Sequence, residues 1–313
     1  YGMMPASISH EGYSAKPMHA YWDDFWALRG YDDAAAVAGM LGKREEAKAM
    51  AAARDQFRAD LDASLRSAVA RHGLDYLPGS AELGDFDPTS TTIALVPGNA
   101  QGWLPAAQLD GTFQRYWREF AQRRDGRREW KDYTPYEWRT VAAFLRLGWR
   151  ERAAEAVRFF FRDRQPQGWN QWAEVVSHTP RKPFFVGDLP HAWVASDFVR
   201  SALDMFAYER AGDGSLVLAA GIPVDWLDGQ GIAVDGLRTP YGPLSYSLRR
   251  DGGVLRLDVA GAALRAPGGV VLPWPYAGRP GPVRVNGRRV WPAGELRLRA
   301  PAKVEIDLVE VSR

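Results

Sequence analysis

The hydrophobic pattern of this chain changes its period near Gly212, and this change restricts most strongly the folds that the chain can adopt. Before Gly212, apolar residues recur at helical spacing, most clearly between Arg44 and His72. After it, short apolar runs alternate with Gly and Pro turns, a pattern typical of antiparallel strands. The sequence therefore predicts an α+β chain with a helical domain at 1–212 and a β domain at 213–313.

The helical part separates into several predicted helices. They are Ala20 to Leu41, Arg44 to His72, Thr89 to Val96, Thr112 to Arg123, Pro135 to Leu147, Arg150 to Arg164 and Pro190 to Arg210. Strand-like runs follow at Leu216 to Leu218, Leu244 to Arg249, Val254 to Val259, Val270 to Pro273, Val283 to Val285, Leu296 to Arg299 and Val304 to Val311. Charged helices alternate with helices poor in charge, such as Thr89 to Val96 and Ala192 to Phe206, which predicts an outer and an inner layer.

Composition excludes several classes of partner and chemistry. The chain has forty Lys and Arg residues and thirty-eight Asp and Glu residues. The resulting formal charge of +2 provides no large excess of positive charge for binding nucleic acid. No apolar run approaches the ~18 residues of a membrane helix, and we expect no membrane partner. The absence of cysteine excludes disulfides, thiol nucleophiles and thiolate zinc sites.

Four loop segments hold most of the polar and aromatic residues that a core would not need. They are Ser9 to Tyr13 with His19 to Trp26, Glu82 to Thr91, Glu129 to Glu137, and Gln167 to Glu174 with Asp188 to Trp193. Each segment leads into a predicted inner helix. If the inner helices are parallel, the four loops meet at one end of the helical domain.

Carboxylates and indole rings together favour a carbohydrate ligand. Sugar rings present C–H faces to indoles and hydroxyl groups to carboxylates, amides and imidazoles. Cleavage of a glycosidic bond requires one carboxylic acid to protonate the leaving oxygen and a second carboxylate to activate water or to attack. The candidates for these two roles are Asp23, Asp24, Glu11 and Glu174.

Four of these short motifs resemble a known superfamily when they are taken in order. They are Tyr21-Trp22-Asp23-Asp24-Phe25-Trp26, Gly84-Asp85-Phe86-Asp87-Pro88-Thr89-Ser90-Thr91, Gln171-Trp172-Ala173-Glu174 and Leu189-Pro190-His191-Ala192-Trp193. In this order and spacing they resemble the six-hairpin glycosidases, whose (α/α)6 toroid has six inner and six outer helices. Trehalases, glucoamylases, processing α-glucosidases and α-L-rhamnosidases share that toroid.

The resemblance implies a fold and a set of roles. It implies a partial toroid followed by an antiparallel β-sandwich, as in the rhamnosidase-like members. The Trp22-Asp23 pair is similar to the Trp-Asp of trehalase-like enzymes, which makes Asp23 the general acid, and Glu174 stands where the superfamily often keeps its general base. An inverting glycosidase is expected, with a sugar platform formed by Trp22, Trp26, Trp169 and Trp172.

Other side chains of the four loops are predicted to bind substrate. These are Glu11, Asp24, Asp85, Glu137 and His191. Each also has a structural alternative: Asp24 and Glu137 lie at helix starts, where acidic residues are favoured, and Asp87 beside Asp85 is a natural helix cap. Scattered histidines do not form a zinc motif, so we expect no metal and no cofactor.

The chain departs from the superfamily in its number of inner helices. Four are predicted, beginning at Ala20, Thr89, Pro135 and Pro190, where the superfamily has six. We therefore expect the C-terminal portion of a longer enzyme whose missing N-terminal part carries the first hairpins. A glycan hydrolase of this kind is expected in the periplasm or outside the cell.

Three other functions compete with hydrolysis. A phosphorylase of the same fold would use phosphate in place of activated water and would need basic groups where Glu174 acts. A non-catalytic carbohydrate-binding protein would bind sugar without releasing product. A toroidal polysaccharide lyase would use Tyr or His as its base.

Overall fold

The structure is a computed structural model that describes residues 2–10, 12–179, 181–182, 187–292 and 294–309. Within these ranges the chain is mixed α+β, as predicted, with seven α-helices and three β-sheets. The helices are α1 (Tyr21–Met40), α2 (Arg44–His72), α3 (Pro88–Leu95), α4 (Ala106–Arg124), α5 (Trp138–Arg146), α6 (Arg150–Asp163) and α7 (Ala192–Phe206).

Twelve strands lie within the described ranges. They are β1 (Asp132–Tyr133), β2 (Val176–Ser177), β3 (Ala207–Arg210), β4 (Ser215–Leu218), β5 (Ile232–Thr239), β6 (Gly242–Asp251), β7 (Val254–Ala260), β8 (Val270–Leu272), β9 (Val283–Val285), β10 (Arg288–Val290), β11 (Leu296–Leu298) and β12 (Ala302–Asp307). They form sheets of order β1-β2, β10-β9-β12-β7-β6-β5 and β11-β8-β4-β3.

Local sequence signals explain the helix boundaries. The predicted bounds of α2 are confirmed, and the helix stops at Gly73, whose φ of +62° favours a residue without Cβ. α3 begins at Pro88, directly after an Asp87 side chain that accepts hydrogen bonds from the N–H groups of Thr89 and Ser90. Every α3 residue from Ser90 onward is buried, which agrees with its low charge.

Four predictions about helices are wrong in part, the first being the start of α4, which lies at Ala106 and not at Thr112. Pro135–Glu137 form a short 3-10 turn, so α5 begins at Trp138 and not at the proline. The helix predicted to run to Arg210 ends at Phe206, because Ala207–Arg210 pair with β4 as strand β3. Burial was expected for α7, yet its Val199 and Leu203 side chains are exposed.

The six-stranded sheet follows the predicted period of two. In β6 and β12, alternate residues are buried, so the sheet has one apolar face. The register places Tyr246 opposite Val259 and Leu248 opposite Leu257 across β6 and β7. β5 was not predicted. Its register against β6 shifts between Val234 and Leu237, and this shift interrupts the alternation of buried and exposed residues.

The four-stranded sheet corrects the prediction of wholly antiparallel pairing. β4 and β8 run parallel, with Leu216 opposite Val270 and Val217 opposite Val271. Between these two strands the chain passes through β5, β6 and β7 of the other sheet, and such a long crossover allows it to return in the same direction. All residues of β4 and β8 are buried.

Contacts divide the chain into two compact units. The first contains Tyr1–Ala143 and Arg164–Val194, and the second contains Phe144–Asp163 and Ala195–Arg313. The second unit thus groups α6 and most of α7 with strands β3 to β12, whereas the sequence suggested a division after residue 212. Arg150 of α6 shows why: its buried guanidinium donates to the carbonyl groups of Ala219 at 2.7 Å and Ile222 at 2.6 Å.

None of the helices in the described ranges combines the length and the hydropathy that crossing a bilayer requires.

Candidate active site

Asp23 lies in the first turn of α1, where it is half-buried and bonded to the N-terminal segment. Ser7 Oγ donates to Asp23 Oδ2 at 2.5 Å, and Ser9 Oγ donates to Oδ1 at 2.9 Å. A serine hydroxyl can donate to a carboxylate or accept from a carboxylic acid, so this arrangement serves either protonation state. The two serines fix the orientation of the Asp23 carboxyl group.

Asp24 is placed differently from its neighbour, because its side chain is fully buried. Its Oδ1 accepts a hydrogen bond from the Met4 N–H at 2.8 Å, while Oδ2 has no hydrogen-bond partner. Burial, with a smaller contribution from the adjacent Asp23 carboxylate, raises the pKa of Asp24 to about 7. With no exposed surface, Asp24 could contact a sugar only if the N-terminal segment moved.

A buried arginine joins three of the four predicted loop segments. The guanidinium of Arg139 lies 4.9 Å from the ring centre of Trp22, 4.5 Å from that of Tyr136 and 5.3 Å from that of Trp193. The ring centres of Trp22 and Trp193 are 6.1 Å apart, and those of Tyr136 and Trp193 are 5.6 Å apart. We call these four residues the aromatic cluster. Cation–π contacts gain strength when the cation is desolvated, as it is here.

The second loop segment, Glu82 to Thr91, is linked to the cluster through His10 of the first segment. The imidazole of His10 contacts Trp22 with ring centres 4.8 Å apart, and its Nε2 lies 3.3 Å from Oδ2 of Asp87, the cap of α3. Asp87 raises the pKa of His10. Burial alone would raise the pKa of Asp87, but hydrogen bonds from His10 and Ser90 outweigh burial and lower it. All four loop segments therefore meet in the first unit.

Glu174 is held in its loop mainly by the backbone of Asp188. The Glu174 N–H donates to the Asp188 carbonyl at 2.9 Å, and the Asp188 N–H donates to Glu174 Oε2 at 3.2 Å. Thr134 Oγ1 donates to the Glu174 carbonyl at 2.7 Å. Gly187, with a φ of +64°, gives the Glu174 carboxylate room, since a Cβ at this position would collide with Oε2.

Glu174, Asp188 and His191 could in principle hold a cation, because one ligand atom from each lies within 4.8 Å of the others. The hydrogen bonds of the His191 imidazole argue against a cation at these three residues. The Val194 N–H donates to His191 Nδ1 at 3.2 Å, which places the proton of a neutral ring on Nε2, and Nε2 lies 3.2 Å from the Tyr136 hydroxyl. A cation would have to displace one of these contacts, so the three residues carry no metal assignment.

The predicted sugar platform is only partly accessible. Trp26 is 38% exposed and Trp169 is 62% exposed, whereas Trp22 and Trp172 are buried. Trp172 packs against Trp138 with ring centres 5.1 Å apart. Trp193, absent from the predicted platform, is 44% exposed and belongs to the aromatic cluster.

The carboxylates of Asp85 and Glu137 accept hydrogen bonds from side chains of the protein. Asp85 accepts hydrogen bonds from Tyr13 Oη at 2.9 Å and from Ser80 Oγ at 2.7 Å. Glu137 accepts two from Arg123, at 2.9 and 2.7 Å, and one from Tyr116 Oη at 2.5 Å. Glu11 lies outside the described residues.

The Arg123–Glu137 pair forms part of the wall of a cavity of ≈ 430 Å³ in the first unit. Phe86 and Thr89 contribute from the second loop segment, and Trp130 and Tyr136 contribute from the third. Tyr136 therefore belongs both to this cavity and to the aromatic cluster.

Sequence reasoning missed the arginine at the centre of the site. Tyr136 and Trp193 stand in motifs that were recognised, but their mutual contact depends on the fold. Arg139 lies within a helix, and one arginine among forty basic residues carries no signal of its own. Only the three rings around it distinguish it.

A scan against models of protein families finds no match for this chain, and a search of curated proteins finds no relative.

Proposed function

We propose that this chain is a glycoside hydrolase that cleaves a glycosidic bond in an oligosaccharide or polysaccharide with inversion. The meeting of the four loop segments at the aromatic cluster carries the proposal. Asp23 adjoins Trp22 on α1, and Glu174 lies with His191, which contacts Tyr136. The proposal is thus supported by the position of Asp23 next in sequence to one ring of the cluster and by the proximity of Glu174 to a histidine that contacts another.

The proposed mechanism divides the chemistry between two carboxyl groups. Asp23 protonates the leaving oxygen, and the hydroxyl groups of Ser7 and Ser9 hold its carboxyl group in position. Glu174 removes a proton from water as the water attacks the anomeric carbon. A hydrogen bond from the Asp188 N–H to Glu174 Oε2 orients the Glu174 carboxylate.

Exposed rings provide the proposed binding surface. Trp26, Trp169 and Trp193 keep between 38% and 62% of their surface exposed, so their indole rings are accessible to a ligand. Stacking of these indoles on sugar C–H faces would supply affinity, while the carboxylates and His191 would supply hydrogen bonds.

We also propose a finer fold assignment. In a helical toroid, buried inner helices alternate with outer ones, and this is supported by the burial of α3 and by the exposed charges of α2. A β-sandwich needs two sheets with apolar faces, which the six-stranded and four-stranded sheets have. An additional N-terminal part of the enzyme and export from the cell stay predictions of the family resemblance.

The proposal is tested with 4-nitrophenyl α- and β-glycosides of glucose, mannose and rhamnose, together with trehalose. We expect product release by the wild type and a fall in kcat of about 10²–10⁴-fold in Asp23→Asn and in Glu174→Gln. Asp110→Asn and Glu46→Gln make the same chemical changes at exposed positions of α4 and α2 and should leave kcat unaltered. Proton NMR of the first product reports whether the anomeric configuration is inverted.

Each alternative outcome has a distinct meaning. Sugar binding without product, unaltered by Asp23→Asn, would identify a carbohydrate-binding protein and overturn the proposal. Product that forms only with inorganic phosphate would identify a phosphorylase. An unsaturated product formed from a uronate-containing polysaccharide, and still formed by Glu174→Gln, would identify a lyase.

A further inference from the structure

The cavity beside the aromatic cluster has the size of a small-molecule site. Its volume of ≈ 430 Å³ falls within the range of about 300–1,000 Å³ that is usual for ligand pockets. Neither proposed catalytic residue lines it. Tyr136 connects it to the aromatic cluster, because the same ring contacts Trp193 and His191.

The charges of the cavity wall nearly cancel, with one negative charge in excess. The lining residues include three cationic ones, Arg123, Arg128 and Lys131, and four anionic ones, Glu119, Glu129, Asp132 and Glu137. Arg123 pairs with Glu137 at 2.7 Å, and Arg128 pairs with Glu119 at 2.9 Å. An anionic ligand would therefore meet a wall without excess positive charge, and binding it would cost its desolvation without a compensating ion pair.

Aromatic and hydroxyl groups complete the wall. Trp130 is half-buried, and edge-on contacts with Tyr133 and His178, whose ring centres lie 5.5 and 4.9 Å away, fix its orientation. Thr89 and Tyr136 contribute hydroxyl groups. An immobilised indole beside hydroxyls and balanced charges suits a ligand that has both an apolar face and many hydroxyl groups.

We propose that this cavity binds one neutral sugar ring of the substrate, with Trp130 as its stacking surface, and that it discriminates against uronate and phosphorylated sugars. The choice of a sugar rests on the proposed function, whereas the choice of a neutral ligand rests on the charges of the cavity wall. The binding test does not require turnover.

Isothermal titration calorimetry of the Asp23→Asn protein tests the proposal with glucose, mannose, galactose, rhamnose, glucuronate and galacturonate as ligands. We expect at least one neutral sugar to bind about tenfold or more tightly than the uronates, and Trp130→Ala to weaken that binding about tenfold. Trp291→Ala removes an exposed tryptophan of the second unit and should not alter the Kd. Tighter binding of a uronate, or no binding of any neutral sugar, would overturn the proposal.

A second variant keeps the test valid if Trp130→Ala fails to fold. Glu129 is exposed on the cavity wall, so Glu129→Lys gives the wall a positive excess with little effect on packing. Uronate affinity should rise several-fold and neutral sugar affinity should stay the same. An unaltered uronate affinity would place the ligand elsewhere. Trp130-dependent binding without turnover of any glycoside would support the cavity and refute the hydrolase.

Discussion

Glu174 and Asp188 are joined by two hydrogen bonds, one of which holds the Glu174 carboxylate, and Gly187 makes the close approach possible. The Glu174 N–H donates to the Asp188 carbonyl at 2.9 Å, while the Asp188 N–H donates to Glu174 Oε2 at 3.2 Å. Because a Cβ on Gly187 would occupy the position of Oε2, the side chain of Glu174 depends on a residue that has none.

We predict that Gly187→Ala displaces the Glu174 carboxylate and lowers kcat on the 4-nitrophenyl glycosides about tenfold or more. Gly126→Ala is the matched control. Gly126 also has a positive φ, +69°, but its missing Cβ would have nothing within 4 Å. Both variants should lose about 1–2 kcal/mol of stability from left-handed backbone strain, while only Gly187→Ala should lose turnover. Equal kcat in the two variants would contradict the role of Glu174.

The buried carboxyl of Asp24 predicts a pH dependence of stability. Its folded pKa of about 7 lies above the unfolded value of 3.8, so between about pH 4 and pH 7 the folded state binds more protons than the unfolded state. The Asp24 contribution to the free energy of unfolding therefore falls as the pH rises through this window.

Asp24→Asn should remove that part of the dependence, because an amide stays neutral. At pH 8 we expect the variant to be more stable than the wild type, by on the order of 3 kcal/mol, and the gain should vanish near pH 4. Urea unfolding at pH 4, 6 and 8 measures the difference, with Asp110→Asn as the control at an exposed position. Lower stability of Asp24→Asn at pH 8 would show that the folded protein stabilises the Asp24 carboxylate and that its pKa is not raised.

Near neutral pH the His10–Asp87 pair should act in the same direction as Asp24, losing its stabilising contribution as the pH rises. The raised pKa of His10 gives a contribution that is complete below pH 6.5 and is lost as the pH rises through the folded value. The lowered pKa of Asp87 gives one that is complete above pH 3.8 and is lost on acidification. The pair therefore stabilises the fold most between about pH 4 and pH 6.5.

His10→Gln should lower the free energy of unfolding by about 1 kcal/mol at pH 5.5, and by less at pH 9. His178→Gln tests whether loss of any partly exposed histidine has this effect. Thermal unfolding of both variants at the two pH values gives the comparison. A deficit of His10→Gln that is the same at both pH values would show that packing against Trp22, rather than charge, is what His10 contributes.

Elements that depend on neighbouring residues in the sequence were predicted better than elements that depend on contacts between distant residues. The four-residue spacing from Phe57 to Val69 and the closing Gly73 determine α2 within a single segment, and both were recognised. β3 was mistaken for the end of a helix, because Ala207–Arg210 become a strand only through pairing with β4. Tertiary context overrides local propensity at such positions.

The same distinction separates the recognised and missed parts of the site. Asp23 and Glu174 were selected by residue type and motif, and the pattern of loops before helices indicated that the segments meet. The ring contacts of Arg139 join residues from positions 22 to 193, and no local pattern encodes such a contact. The burial of Trp22 and Trp172 could not be predicted either, because the residues next to a tryptophan in the sequence do not show whether its ring is packed or exposed.

Trp169 allows the cleanest test of the proposed binding surface. It lies in a short 3-10 turn, and with 62% of its surface exposed it can contribute little to the core. If sugars stack on it, Trp169→Ala should weaken binding of a hydrolysed glycoside about tenfold, seen as a rise in KM, without lowering the unfolding temperature. Trp226→Ala, which removes another exposed tryptophan from a 3-10 turn of the second unit, should leave KM unaltered. An unaltered KM in Trp169→Ala would remove this ring from the platform and leave Trp26 and Trp193 as its remaining exposed members.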